Sequence, residues 1–249
     1  MKNILLTLLL SLNLISCTTS KCSRDISKFN LWELSTETIL PLKSFVKLNS
    51  FAKVATEEAE EGLIGFSSAS GFWIAENKII TAAHFCDTTL FKLMLMQRLV
   101  FFEKIFFEIE TFDGHQVEAI ITKVDEVNDL CMLTVVGPTE TIDKQILTLS
   151  NVRPYHGERI YNLSAPLGMF SPGMLPVFEG FYSGPALYPE KNKKLQVDMY
   201  SLPIKQGSSG SPILNDRGEL IGVVIAGVKG FENLGFSPSY KIIKEFLEQ

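Results

Sequence analysis

Cysteine, clustered positive charge and long apolar runs are all scarce in this chain, and each scarcity removes a class of protein. Four cysteines in 249 residues do not make a disulfide-dense scaffold. A nucleic-acid footprint needs a clustered basic face; the net charge is −5 with both signs interspersed, so none is present. No apolar run has the length and flanks of a stable membrane span. No repeat of fixed period and no low-complexity tract occurs. What is present is globular: 46% hydrophobic and 20% charged residues supply ample material for a core. The length suits one large domain or two small packed ones.

The amino terminus stands apart from that core. "MKNILLTLLLSLNLIS" opens on one lysine and runs apolar to Ile15, the pattern of an export signal. "LISC" resembles the lipobox of bacterial lipoprotein signals, which implies cleavage before Cys17 and lipid on its thiol. An ordinary signal with an incidental cysteine is the alternative. The expected layout is a signal at 1–16, a polar tether or arm at 17–43 and a folded domain at 44–249. Export implies an oxidising compartment. Cys22, Cys86 and Cys131 then remain, an odd number that permits at most one bridge and leaves its pairing open. Cys131, inside an apolar strand pattern, reads as a small buried hydrophobe.

After residue 43 the chain is mostly strand-like. "SFVKLNSF", "FFEIET", "QVEAIITKV", "LCMLTVV", "RIYNLSA", "LQVDMY", "SPILN" and "LIGVVIAGV" are short apolar segments separated by turn residues. "SGFWIAENKIITAA" carries its own hairpin turn at "ENK", and "EEAEEG" reads as a solvated acidic loop. Only "PSYKIIKEFLEQ" looks helical, with apolar residues at 242, 243, 246 and 247. "LFKLMLMQRLVFFEKIFF" (90–107) is very apolar yet interrupted by charge. It reads either as core strands or a helix closing a barrel, or as a protrusion that meets a membrane surface or a client protein.

Catalytic chemistry is suggested by "QGSSGSPIL". A G-x-S-G segment is a flexible turn or a nucleophile held on a glycine-built corner. A serine hydroxyl needs a base, and the base needs an orienting group. His115 in "FDGHQ" and His156 in "RPYHGE" read as exposed turn residues. His84, in "KIITAAHFC", sits where an apolar strand ends, with small Ala82 and Ala83 beside it. Asp129 opens the apolar run of "VNDLCMLTVV", where a carboxylate is costly unless hydrogen-bonded. Asp125 reads as solvated.

Taken together, "SGFWIAENKIITAAH", "DGHQVEAIITKVDEVNDLCML", "GSSGSPILNDRGELIGVVIAG" and "NLGFSPSYKII" resemble a trypsin-like serine protease of the HtrA type, in that family's order. The resemblance covers roughly 44–249 and is weakest at 86–111 and 150–195. It implies His84 as base, Asp129 as orienting acid and Ser209 as nucleophile, with the N–H groups of Gly207 and Ser209 as the oxyanion hole. It implies a pocket floor at Leu202, Pro203 and Ile204, and a substrate strand laid along Ile225, Ala226 and Gly227. No acidic residue falls in that floor and no histidine follows "GVV", so neither basic nor glutamyl specificity is supported. A modest apolar pocket is expected. Ser211 stands where HtrA proteases usually have glycine, and "DMYSLPIKQ" is a few residues longer than in them. No Ile-Val junction for zymogen activation follows a basic residue, and the chain ends where these proteases commonly continue into a PDZ domain.

The expected fold is therefore all-β: two packed six-stranded antiparallel barrels, at about 44–150 and 151–249, with a C-terminal helix. The expected function is an exported, lipid-anchored serine endopeptidase, as in protein quality control, that needs neither metal nor cofactor. Its partners would be protein or peptide substrates and a membrane, not nucleic acid; the resemblance admits a homo-oligomer. An inactive protease-like module that holds peptides is the rival reading.

Overall fold

The computed structural model describes residues 40–55, 61–98, 102–190, 193–228 and 230–248. The expected signal, Cys17, Cys22 and all but the last residues of the tether lie outside them, as do positions 57–60 of the acidic loop.

Six strands close the first barrel: β1 (Phe45–Ala55), β2 (Glu61–Ala75), β3 (Lys78–Thr81), β4 (Phe102–Thr111), β5 (Gln116–Asp125) and β6 (Leu130–Val135). Their order is β1-β2-β3-β6-β5-β4, with β1 pairing back onto β4. Strand periodicity explains the interior. Val46, Leu48, Ser50, Ala52 and Val54 point inward from β1, and the residues between them are half-buried. Trp73, Ile79, Ile109 and Leu133 fill the centre. Each such side chain contributes about 1.5–3 kcal/mol on burial. Closure leaves the barrel without an unpaired edge.

The second half departs from expectation. Instead of a six-stranded barrel it is a seven-stranded sheet, made of β7 (Arg159–Leu163), β8 (Val177–Glu190), β9 (Lys193–Ser201), β10 (Pro212–Leu214), β11 (Leu220–Val223), β12 (Ala226–Val228) and β13 (Phe231–Pro238). The order is β11-β10-β7-β8-β9-β13-β12. Its two end strands, β11 and β12, are consecutive in the chain. Val224 and Ile225 join them, and the amides of these two residues bond to Ser211 O and Phe236 O. The ends are thus joined covalently by a short link rather than by a ladder. "LIGVVIAGV" is accordingly two strands, not one.

Gly180, Gly184 and two prolines argue against a strand at β8 in the sequence. The structure accommodates them at a bulge between Tyr182 and Gly184 and at a close approach, where a Cβ on Gly180 would lie 2.0 Å from Ser201 O. Among the described residues three α-helices join the strands: α1 (Ala83–Cys86), α2 (Thr89–Gln97) and α3 (Tyr240–Glu248). The 90–107 stretch divides into α2 and the start of β4. Phe91 and Leu95 pack on Ala52 and Val54, while Leu90, Leu93, Met94 and Met96 face outward.

A shared core fastens the two halves. Phe45, Phe72, Ile80 and Leu130 from the barrel meet Leu163, Leu214, Leu220 and Val223 from the sheet. Ile243 and Phe246 of α3 cover them, which realises the expected apolar face of the C-terminal helix. Asp198 is fully buried in β9. It accepts from Arg153, from the Tyr182 hydroxyl at 2.8 Å and from the Tyr240 N–H at 3.0 Å, tying α3 to the sheet. Burial first, and the Asp198 bond second, push the Tyr182 hydroxyl up to about 12.

Candidate active site

The barrel positions His84 and Asp129, the expected base and acid. β3 ends at Thr81, and α1 begins two residues later with His84 in its first turn. Four turn residues after β5 bring the chain to Asp129, which has a φ of 57°. For a non-glycine residue this is an uncommon conformation. Asp125, expected to be solvated, organises that turn: it accepts the Val127 and Asn128 N–H groups and the Asn128 side-chain amide. Both Asp129 oxygens then grip one residue. Oδ1 accepts the His84 backbone N–H at 2.8 Å, and Oδ2 lies 2.7 Å from His84 Nδ1. The Asp129 carbonyl also accepts the Ala83 N–H.

That carboxylate settles the tautomer of His84, placing a proton on Nδ1 and leaving Nε2 as the acceptor. The same bond holds the His84 pKa above its usual 6.5, against the opposing effect of burial. The imidazole itself is half-exposed on a groove of about 880 Å³ that also presents Asp129, Leu90, Tyr188, Ile225 and Ala226. Cys86 and Cys131 form a disulfide, so Cys131 is a buried bridging residue and not merely a small hydrophobe. The bridge joins the positions two residues beyond His84 and two beyond Asp129.

The sheet positions the serine. Gly207 and Gly210 have φ values of 93° and 81°, which glycine adopts without steric cost. Both are also forced by contact. A Cβ on Gly207 would lie 2.5 Å from Ala165 O, and one on Gly210 would lie 2.2 Å from Thr81 Oγ1 and 2.8 Å from Ala82 N. The Ser209 corner is therefore docked on the residues that lead into His84. Among the described residues His84 and Ser209 are not joined by a hydrogen bond: the side-chain bond of His84 goes to Asp129, and the N–H groups of Gly207 and Ser209 have no backbone partner. Their neighbours are engaged: the amides of Ser208, Gly210 and Ser211 bond to Lys205 O, Val224 O and Ser208 O. Ser211, the departure from glycine, is fully buried, and its hydroxyl accepts from Asn162 Nδ2 at 2.7 Å.

The expected pocket residues separate. Leu202 is fully buried among Ile160, Tyr200 and Ile213, and Pro203 is exposed. Ile204 stands in the slot: Cβ atoms built on Gly227 and Gly235 would approach its side chain to 3.1 and 3.0 Å. Asp198, the acid nearest this segment, is turned inward and satisfied by three donors. Ala226 and Gly227 lie on end strand β12, which pairs on one side with β13.

A β-barrel and a β-sheet that share one core, with a His–Asp pair on the first and a glycine-built serine corner on the second, define a chymotrypsin-type architecture. Residues 69–223 match the model of the trypsin-like peptidase domain, and the chain belongs to that family. It is 25% identical over 189 residues to putative protease Do-like 14 of Arabidopsis thaliana, covering 74% of this chain and 41% of that protein. Serine protease HTRA4 of Mus musculus is 26% identical over 231 residues, covering 92% and 43%. The chain thus spans about two fifths of the length of these curated relatives. The active and inactive forms of the Rv3671c protease from M. tuberculosis share the fold. Each has a TM-score of 0.61 over 84% of this chain, at 18% and 17% identity, and the matches cover 81% and 89% of those chains.

Proposed function

We propose that the protein is an exported, lipid-anchored serine endopeptidase of the HtrA type, acting through His84, Asp129 and Ser209. The observation that carries this reading is the two-point grip of Asp129 on His84, beside a serine corner with two unengaged amides. Ser209 Oγ attacks the scissile carbonyl carbon while His84 Nε2 accepts its proton. The carbonyl oxygen becomes negative and takes hydrogen bonds from the Gly207 and Ser209 N–H groups, each worth about 2.7–4 kcal/mol in the transition state. As the C–N bond breaks, His84 returns the proton to the leaving amine. Water then attacks the acyl-enzyme by the same relay. Asp129 stabilises the imidazolium throughout.

Substrate backbone is proposed to pair with Ala226 and Gly227, with a small apolar side chain seated against Ile204. Export is supported by the amino-terminal apolar run and by a disulfide, a bond that persists in oxidising compartments. Anchoring rests on Cys17 in "LISC". Labelling with a fluorophosphonate probe tests the chemistry: the native protein should label, Ser209→Ala should not, and a Ser209→Ala protein that still labels would disprove the assignment. Incorporation of labelled palmitate in a bacterial host, lost in Cys17→Ala, tests the anchor.

A further inference from the structure

The corner that carries Ser209 is held by a residue outside the catalytic set. Ser70, in β2 of the barrel, is fully buried. Its hydroxyl donates to Gly207 O at 2.8 Å and accepts the Ala165 N–H at 3.0 Å. Its own N–H donates to Ser209 O at 2.9 Å. Thr81 Oγ1 in turn donates to Ser70 O at 2.9 Å, fixing the strand at this point. One serine therefore binds the carbonyls of both residues whose amides face the proposed oxyanion site.

A second bond acts on the peptide just before Gly207. Gln206 O accepts the Leu167 N–H at 2.6 Å. In a trans peptide the C=O and the following N–H point in opposite directions. Pinning Gln206 O therefore aims the Gly207 N–H to the other side. Leu167 has a φ of 55°, and with Asp129 it is one of two non-glycine residues with positive φ among the described residues. An outlier of this kind persists only where its surroundings hold it. The need for such pinning follows from the glycine. Gly207 must lack a Cβ to approach Ala165 O, yet glycine is the residue that most readily changes φ and ψ.

We propose that Ser70 is a positioning residue for the oxyanion hole: its hydroxyl, bridging the Ala165 N–H and the Gly207 carbonyl, together with the Leu167–Gln206 bond, keeps the Gly207 N–H directed at the developing anion. The inference rests on the serine-protease reading above. Loss of the Ser70 hydroxyl leaves the hole present but loosely aimed. It should therefore act on the transition state more than on substrate binding.

The test compares Ser70→Ala with Ser50→Ala, a matched loss of another fully buried barrel serine, whose hydroxyl donates to Ser67 O. Activity is expressed per folded molecule, from the amplitude of the thermal unfolding signal. Ser70→Ala should lower kcat by about 10- to 100-fold with little change in KM, since a small misplacement of reacting groups costs up to about 10²-fold. Ki for a peptidyl trifluoromethyl ketone, which forms an oxyanion on the serine, should rise by the same factor. The acid limb of the pH profile should stay in place, because the His84–Asp129 pair is untouched. Ser50→Ala should keep kcat, and Ser70→Thr, which retains a hydroxyl, should recover most of the loss. The inference is overturned if Ser70→Ala keeps kcat within about threefold, if its loss matches that of Ser50→Ala, or if KM rises while the ketone Ki is unchanged. A native protein inert to fluorophosphonate would sink the protease reading itself and this inference with it.

Discussion

The barrel and the sheet hold their functional groups by different means. The barrel is a closed ladder, and its His–Asp pair is fixed by three hydrogen bonds and flanked by a disulfide. The sheet is open, its end strands are three and four residues long, and its serine corner is built from positive-φ glycines. Glycine permits the corner but does not enforce it, so enforcement comes from across the interface, through Ser70, Thr81 and Ala82. The rigid half thus templates the permissive half. On the proposed reading this division suits catalysis: a proton relay tolerates little variation between base and acid, and a side that met different peptides would gain from adaptable strands.

The sharpest way to break this contrast is on the barrel side. Asp129→Asn keeps the turn but loses the anion that selects the Nδ1–H tautomer, and kcat should fall by about 10⁴-fold. The pH dependence should move as well. On the proposed reading imidazolium cannot accept the Ser209 proton, so kcat/KM should fall as pH drops through the His84 value. The Asp129 bond holds that value above 6.5 in the native protein. In Asp129→Asn the residual activity should have its acid limb at lower pH. A pH–rate profile of both proteins checks the direction, and an unmoved limb would separate Asp129 from the base.

The disulfide is the next largest effect. It closes a loop of sequence separation 45, for which chain entropy gives about 4 kcal/mol of stabilisation. The double variant Cys86→Ser, Cys131→Ser should lose stability of that order in urea unfolding. The three hydrogen bonds between Ala83–His84 and Asp129 remain in that variant. Its kcat per folded molecule should therefore fall by less than about tenfold. A larger fall would mean that the cross-link, rather than the hydrogen bonds, holds the base and acid in register.

The parts legible in the sequence were those encoded locally. The pairing of His84 with Asp129 and the glycine-built corner around Ser209 are of this kind, each at the junction of an apolar run and a turn. The ENK hairpin and the apolar face of α3 are likewise short-range signals. What escaped is long-range or two-sided. Ser70 and Gly207 are 137 residues apart, and nothing in "SASGF" announces a buried hydroxyl that bridges to a distant corner. The 90–107 stretch is apolar on both faces, so periodicity could not separate packed Phe91 and Leu95 from exposed Leu90 and Leu93. The open second sheet was hidden by a link of two apolar residues, Val224 and Ile225, that reads as continuous strand.

The smallest expected effect lies on the sheet side and concerns selectivity rather than rate. Ile204 occupies the slot between Gly227 and Gly235, two positions whose lack of side chains would otherwise leave it open. On the proposed reading a branched side chain there admits only a small apolar group. Ile204→Ala removes the obstruction without touching the Ser209 corner or the His–Asp pair. Selectivity should then shift toward substrates with leucine or phenylalanine before the scissile bond, by about tenfold or more in kcat/KM relative to alanine. That is the scale of a few methylenes in an apolar pocket, about 1–3 kcal/mol. A peptide-library profile of the two proteins measures it. An unchanged profile would move the pocket away from Ile204 and leave Ala226 and Gly227 as the remaining proposed contacts with substrate.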